Sequence, residues 1–283
     1  MLRTLSRFFS LLVWFVLVSG MHGMDSQAYA GARGNDASVV YMAHDYGFTG
    51  PDHIPAGVAT LEVVNKGRDP HHVQLLKLAQ GNTAADFHAA IKANPDRFPT
   101  WVKFVGGPNA VLAGGRSVAT MTLAEGEYLL ICLIPDKEGV PHVALGMEKT
   151  LSVKGARPTL VSEPNAGLTI TQADFRFEMS SRVTAGTHTI QVMNHGTQTH
   201  EVVLLKLDPG ASAKDFGAAF EPGASGPPPG QPIGGVVGIE TGGHAYFNAR
   251  FEPGRYGLIC FFPDPATGKP HFAQGMTSEF TVE

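Results

Sequence analysis

The sequence predicts an all-β protein made of two tandem β-sandwiches, each with one short helical insertion. Three observations predict it. The chain repeats itself: residues 65–78 return as 194–207, with His71 falling on His200, and residues 141–147 return as 270–276, both at an offset of 129. Residues 128–136 (YLLICLIPD) return as 256–264 (YGLICFFPD), at an offset of 128. Within each copy, β-branched and aromatic residues cluster or alternate at strand length between glycines at turn positions. Finally, 283 residues suit two domains of ordinary size, each long enough for its own core.

Arg3 and Arg7, an apolar run over residues 8–18 and Ala28-Tyr29-Ala30 have the order of a secretory signal peptide, residues 1–30, cleaved near Ala30. Export to the periplasm or beyond the cell follows; an uncleaved N-terminal anchor is the alternative. No later segment is apolar enough to span a bilayer, so no stable membrane insertion is expected after cleavage. Domain 1 is placed at 38–154, a Pro-containing linker at 155–166 and domain 2 at 167–283.

In the first copy, strands are expected around residues 39–42, 60–64, 73–78, 118–123 and 128–133. The last is a continuous apolar run of the kind buried on both faces. Helices are expected at 83–93 and 212–220, opened by Thr83 with Asp86 and by Ser212 with Asp215. Asp in place of Glu makes both capping boxes imperfect. Phe87 and Ile91, like Phe216 and Phe220, lie four apart and would face the sandwich. Residues 221–232, with Gly-Pro-Pro-Pro-Gly, are expected to be a loop.

Cleavage at residue 30 removes Arg3, Arg7 and Asp25, taking the formal charge from −4 to −5. With no basic stripe or Lys/Arg cluster, nucleic acid is excluded as a partner.

The repeat also selects the chemistry. When the copies are superposed, His faces His only at His71/His200 and His142/His271. The two cysteines match, Cys132 with Cys260, and one methionine pair matches, Met147 with Met276. Each half thus holds His, Cys, His and Met in that order, a soft-metal ligand set. Two imidazoles and a thiolate suit copper in both oxidation states, and a weak axial thioether tunes its potential. Three of the four come from one loop between strands, and His71 lies at the start of another strand. Each also has a plainer reading: strand-end histidines bonded to carbonyls, cysteines as small buried hydrophobes, methionines as core filler. A disulfide between the cysteines would need both repeats to bring the same end within about 7 Å. The other histidines face different residue types in the sister copy, His72 lying opposite Glu201. They are read as surface groups or as groups beside the ligands.

On the segments Pro70-His71-His72-Val73 and Pro141-His142 through Gly146-Met147, each half resembles a cupredoxin, the blue copper fold of plastocyanin and azurin. Asp45-Tyr46-Gly47-Phe48 and Asp174-Phe175-Arg176-Phe177 resemble the first-strand region of bacterial cupredoxin-like domains. The resemblance implies two Greek-key sandwiches with one copper in each. The ligands would be His71, Cys132, His142 and Met147, then His200, Cys260, His271 and Met276. The step from Cys to the second His departs from the family: it is 10 residues in one copy and 11 in the other, longer than in familiar members. The extra segment either bulges outward and still delivers its His, or opens the site.

Multicopper oxidases, also similar in fold, need His-x-His pairs and a His-Cys-His run. Neither occurs here, so the chain is expected not to be an enzyme. The leading expectation is electron transfer with a redox partner protein, through an apolar rim of Leu133, Ile134 and Val143 in one half and Phe261, Phe262 and Phe272 in the other. Copper delivery, buffering or resistance, with a copper donor or acceptor protein as partner, is the second. A metal-free interaction module is the third. The oligomeric state is left open.

Overall fold

A computed structural model of the protein describes residues 38–95, 97–156, 161–221 and 224–283. The expected signal peptide and linker residues 157–160 lie outside these. No helix among the described residues is long and apolar enough to cross a membrane.

The first half comprises β1 (Val39–His44), β2 (Gly47–Thr49), β3 (His53–Asn65), β4 (Gln74–Leu78), α1 (Ala84–Ala93), β5 (Val102–Gly106), β6 (Arg116–Leu123), β7 (Gly126–Ile131) and β8 (Glu148–Ala156). The second repeats the series as β9 (Leu168–Ala173), β10 (Arg176–Met179), β11 (Gly186–Asn194), β12 (His200–Leu207), α2 (Ala213–Ala218), β13 (Gly230–Ile239), β14 (His244–Phe251), β15 (Gly254–Ile259) and β16 (Thr277–Val282). Each half is a two-layer sandwich. One layer is β2-β1-β3-β6 in the first half and β10-β9-β11-β14 in the second. The other is β8-β7-β4-β5 and β16-β15-β12-β13.

The apolar alternation seen in the sequence becomes the interior. Tyr41, Leu61 and Val63 of one layer pack on Leu75, Tyr128, Leu130 and Leu151 of the other. Tyr128 and Tyr256 sit at the same place in the repeat and turn their hydroxyls back to Ala124 O (2.7 Å) and Glu252 O (3.0 Å), each fixing the turn that leads into a strand ending at a cysteine. Phe87 seats α1 on Leu76, Leu129 and Ile131, while Phe216 seats α2 on Val203, Leu205 and Phe272. The shorter Asp side chain closes both capping boxes fully: the Thr83 and Ser212 amides donate to Asp86 and Asp215 at 2.8 and 3.0 Å, and the reciprocal bonds are also made.

The halves are not beads on a string. β6 pairs antiparallel with β14 (Ala119↔Phe247, Thr120↔Tyr246), and β5 meets β13 at Val105↔Ile239. Each pair joins strands that occupy the same place in the repeat, so the halves meet around a pseudo-two-fold, as subunits of a symmetric dimer do. Both layers therefore run continuously across the molecule. One strand departs from expectation: β13 begins at Gly230 and takes in residues 230–232, assigned above to a loop.

Candidate metal centres

The end of each sandwich gathers residues far apart in sequence. His71 lies just before β4 and bridges to Val111, Cys132 directly follows β7, His142 opens a 3₁₀ turn (His142–Leu145), and Met147 immediately precedes β8. In the second half His200 is the first residue of β12, Cys260 follows β15, His271 opens the turn His271–Gln274, and Met276 precedes β16. All eight are buried, and both cysteines are free thiols.

The longer Cys-to-His segment folds outward. Asp136 N–H donates to Val140 O while its carboxylate accepts from the Glu138 and Val140 amides, closing a small hairpin whose base is the Pro135–Pro141 bridge. Below that base the ligand turn is regular, with His142 N–H on Ile134 O (2.9 Å) and Val143 N–H on Cys132 O (2.8 Å). The second copy repeats this, with His271 N–H on Phe262 O and Phe272 N–H on Cys260 O, and takes up its extra residue between Asp264 and Lys269. The methionines are fixed by their backbones: Met147 N–H donates to His142 O and Met147 O accepts from Cys132 N–H, and Met276 does the same with His271 and Cys260.

In the first centre, His71 Nδ1 and His142 Nδ1 are 3.2 Å apart, and Cys132 Sγ lies 4.0 and 3.5 Å from them. A point in the plane of these three atoms is equidistant from them at about 2.1 Å, the length of a metal bond to imidazole or thiolate, about 2.0–2.3 Å. The second centre has the same shape, with Nδ1 atoms 3.0 Å apart and Cys260 Sγ 3.4 Å from His271 Nδ1. The donor atoms of each trio lie within 4.8 Å of one another.

The outer ring nitrogens fix the tautomers. His71 Nε2 donates to Asp45 Oδ1 (3.2 Å) and His200 Nε2 to Asp174 Oδ1 (2.9 Å), so each Nδ1 turns its lone pair to the centre. Burial alone would raise the two carboxyls, but hydrogen bonds from Arg68, His71 and Asp69, and from Thr197 and His200, hold both down to about 2. The residue after each Asp takes a left-handed conformation (Tyr46 φ 68°, Phe175 φ 65°), and its ring stands edge-on to the second histidine at 5.3 and 5.4 Å. Backbone strain of about 1–3 kcal/mol is stored at that turn. Beyond this the centres differ. His271 Nε2 donates to Gln198 Oε1 (2.9 Å), whereas His142 Nε2 is buried with no partner among the described residues.

Burial pushes His142 and His271 down to about 4, with the neighbouring imidazole adding to the effect, so both rings are neutral at pH 7, as ligands must be. It pushes the Cys132 thiol up to about 12, and Cys260 well above its usual range with Glu201 adding to the rise. A thiolate buried at these points calls for a cation beside it. The donor set, its spacing and its neutral imidazoles fit a copper ion.

Sequence reasoning missed several neighbours. His72 and Glu201, read as surface groups or groups beside the ligands, are buried between the halves at 6% and 5% exposure. His72 Nε2 accepts from Leu133 N–H (2.8 Å) and Glu201 Oε1 from Phe261 N–H (3.0 Å), the residue after the cysteine in each case. Asn109, on the β5–β6 connection, carried no signal because its counterpart in the repeat is Val237. The apolar rim is also corrected. Leu133, Ile134, Phe261 and Phe262 line an apolar cleft between the halves, while Val143 packs toward α1 and Phe272 is buried against α2 of its own half.

No protein-family model matches the chain, and no curated protein matches it. Among solved structures it is similar to the dithionite-reduced auracyanin of the photosynthetic bacterium Roseiflexus castenholzii (21% identity, 43% of this chain and 99% of that one, TM-score 0.30). It is also similar to the Cu-containing nitrite reductase of Thermus scotoductus (12% identity, 87% of this chain and 61% of that one, TM-score 0.24) and to a multicopper oxidase (11%, 87% and 88%, TM-score 0.25). The fold is that of two tandem cupredoxin-like sandwiches. One expectation is corrected: the reading of the chain as not an enzyme does not stand, because enzymes are among the structures it resembles over most of its length.

Proposed function

We propose that the protein is an exported copper protein that holds one ion in each half and passes electrons to and from a redox partner protein. The observation that carries this reading is the pair of buried His–Cys–His trios, each with its three donors spaced around one point. His71, Cys132 and His142 would hold one ion and His200, Cys260 and His271 the other, with the Met147 and Met276 thioethers as further ligands. Copper, when bound, supplies a one-electron couple. The protein's part is to keep the donors still: Asp45 and Asp174 lock the first histidines, the 3₁₀ turns lock the second, and the strand ends lock the cysteines. Donors that barely move suit rapid electron exchange, and full burial favours retention of the ion over delivery.

The test is a Cu(II) titration of the mature protein followed by visible absorption, alongside Cys132→Ser and Cys260→Ser. Two coppers per chain and an intense thiolate-to-copper band, reduced stepwise by each substitution, are expected. Cu(I) bound tightly without colour would replace this reading with copper handling, and the absence of any bound copper would overturn it.

A further inference from the structure

The buried polar groups between the halves form one connected chain, and it ends on both cysteines. In each half, the residue after the first histidine is held beside the cysteine. The Glu201 backbone N–H donates to Cys260 Sγ (3.4 Å), and the His72 backbone N–H faces Cys132 at the same place in the first half. Their side chains accept from the Phe261 and Leu133 amides. With Nε2 of His72 occupied as an acceptor, its other ring nitrogen carries the proton, and the ring faces the Asn109 side chain. Asn109 Nδ2 then donates to Glu201 Oε2 (3.1 Å). Asn109 is itself pinned, donating also to Val202 O (3.0 Å) and Val236 O (3.2 Å) of the other half and accepting from Ala110 N–H (2.7 Å). It is 1% exposed.

We propose that His72, Asn109 and Glu201 form an electron path between the two copper centres, so that the halves act as one two-electron unit. This rests on the copper reading above. The route runs from Cys132 through the Leu133 amide to the ring of His72, on to the Asn109 amide and the side chain and backbone of Glu201, and ends at Cys260 Sγ, with hydrogen bonds joining Leu133 to His72, Asn109 to Glu201 and Glu201 to Cys260. In the step itself one electron leaves the reduced centre of one half and reduces the oxidised centre of the other. No proton and no outside oxidant or reductant is consumed. The repeat makes the arrangement unsymmetrical at its middle: position 109 is Asn in the first half, while its counterpart Val237 has no polar side chain. A single amide therefore serves both halves, its NH₂ donating to Glu201 of the second.

The polarity of Asn109 and Glu201 supplies the test. Glu201 is an acceptor at both oxygens, toward Phe261 N–H and toward Asn109 Nδ2. Glu201→Gln keeps size and shape and retains the Phe261 bond, but sets an NH₂ against the Asn109 NH₂. The holoprotein is first assayed for two coppers and an unaltered thiolate band. It is then reduced by a sub-stoichiometric pulse of radical reductant, and the decay that follows is read at several protein concentrations. Wild type is expected to show a first-order phase, independent of concentration, as the electron redistributes, and Glu201→Gln slows it several-fold. Asn109→Leu, which removes all of these side-chain bonds, is the second variant and slows it further if it retains both coppers. An equal rate in a fully loaded Glu201→Gln protein, or no such phase in wild type with both centres filled, would overturn the path alone. A chain that binds no copper would overturn the copper reading with it.

Discussion

The residue that decides most at each centre, outside the trio itself, is the aspartate behind the first histidine. Asp45 and Asp174 leave His71 and His200 only one tautomer, the one whose Nδ1 lone pair faces the cysteine. Groups that orient a metal ligand in this way are worth about 10–100-fold in affinity when removed. Asp174→Ala is expected to weaken copper binding at the second centre by about that factor and to leave the first unchanged, as read by chelator competition on the Cys132→Ser background for the second centre and on the Cys260→Ser background for the first. The glycines behind the pair are equally constrained. A Cβ on Gly196 would come 2.6 Å from His200 Nε2 and closer still to Asp174, and Gly67 stands in the same relation to His71 and Asp45. Gly196→Ala therefore must push the carboxylate away and is expected to reproduce the Asp174→Ala phenotype in the same assay.

At the scale of the elements, each ligand loop is a regular turn carrying an outward hairpin, and the two are separable. The ligand bonds lie below the proline bridge while the extra residues lie above it. Shortening the second hairpin by one residue between Asp264 and Lys269, to the length of the first, is expected to preserve two coppers per chain and both thiolate bands. Loss of the second band would show that the hairpin is part of the centre. The helices are held by their caps: Thr83→Ala and Ser212→Ala should each lower unfolding free energy by about 1 kcal/mol in urea melts, without changing copper stoichiometry. These elements also show what was legible in the sequence. The two His/Cys/His trios, the caps and strands such as β7 were readable because each rests on a local pattern that the repeat states twice. β13 was not, because Gly-Gln-Pro-Ile-Gly-Gly has almost no strand propensity. It is a strand because β12 on one side and Val111, Pro108 and β5 of the first half on the other supply its partners. Asn109, Asp45 and Gln198 escaped for a related reason: their roles exist only once the sandwich brings distant loops together.

For the whole molecule, the decisive fact is that equivalent strands join the halves into continuous sheets. Glu163 ties residues beyond β8 to that seam, accepting from Thr122 of β6 (2.8 Å) and from His244 (2.8 Å) and Tyr246 (3.0 Å) of β14. Burial raises its carboxyl, but those three hydrogen bonds outweigh it, and the net shift is below the ordinary 4.5. A carboxyl lowered in the folded state contributes its full stability above 4.5 and loses it as pH falls through the lowered value. Glu163→Gln should therefore flatten the acid limb of the stability profile by less than about 1 kcal/mol, since the group is partly exposed. The same seam makes a larger prediction. Two repeats joined by a bare linker would unfold independently, but halves that share both sheets and one core lose their partner's strand edges if either opens. The protein is expected to unfold in one calorimetric transition whose van't Hoff and calorimetric enthalpies agree. Copper filling only one centre, as in Cys132→Ser, should then raise the midpoint of that single transition and not split it. At a free-ion level 100 times the dissociation constant the gain is about 2.7 kcal/mol, or roughly 5–11 °C for a chain of this size. Two transitions, only one of them moved by copper, would mean that the seam is too weak to couple the halves.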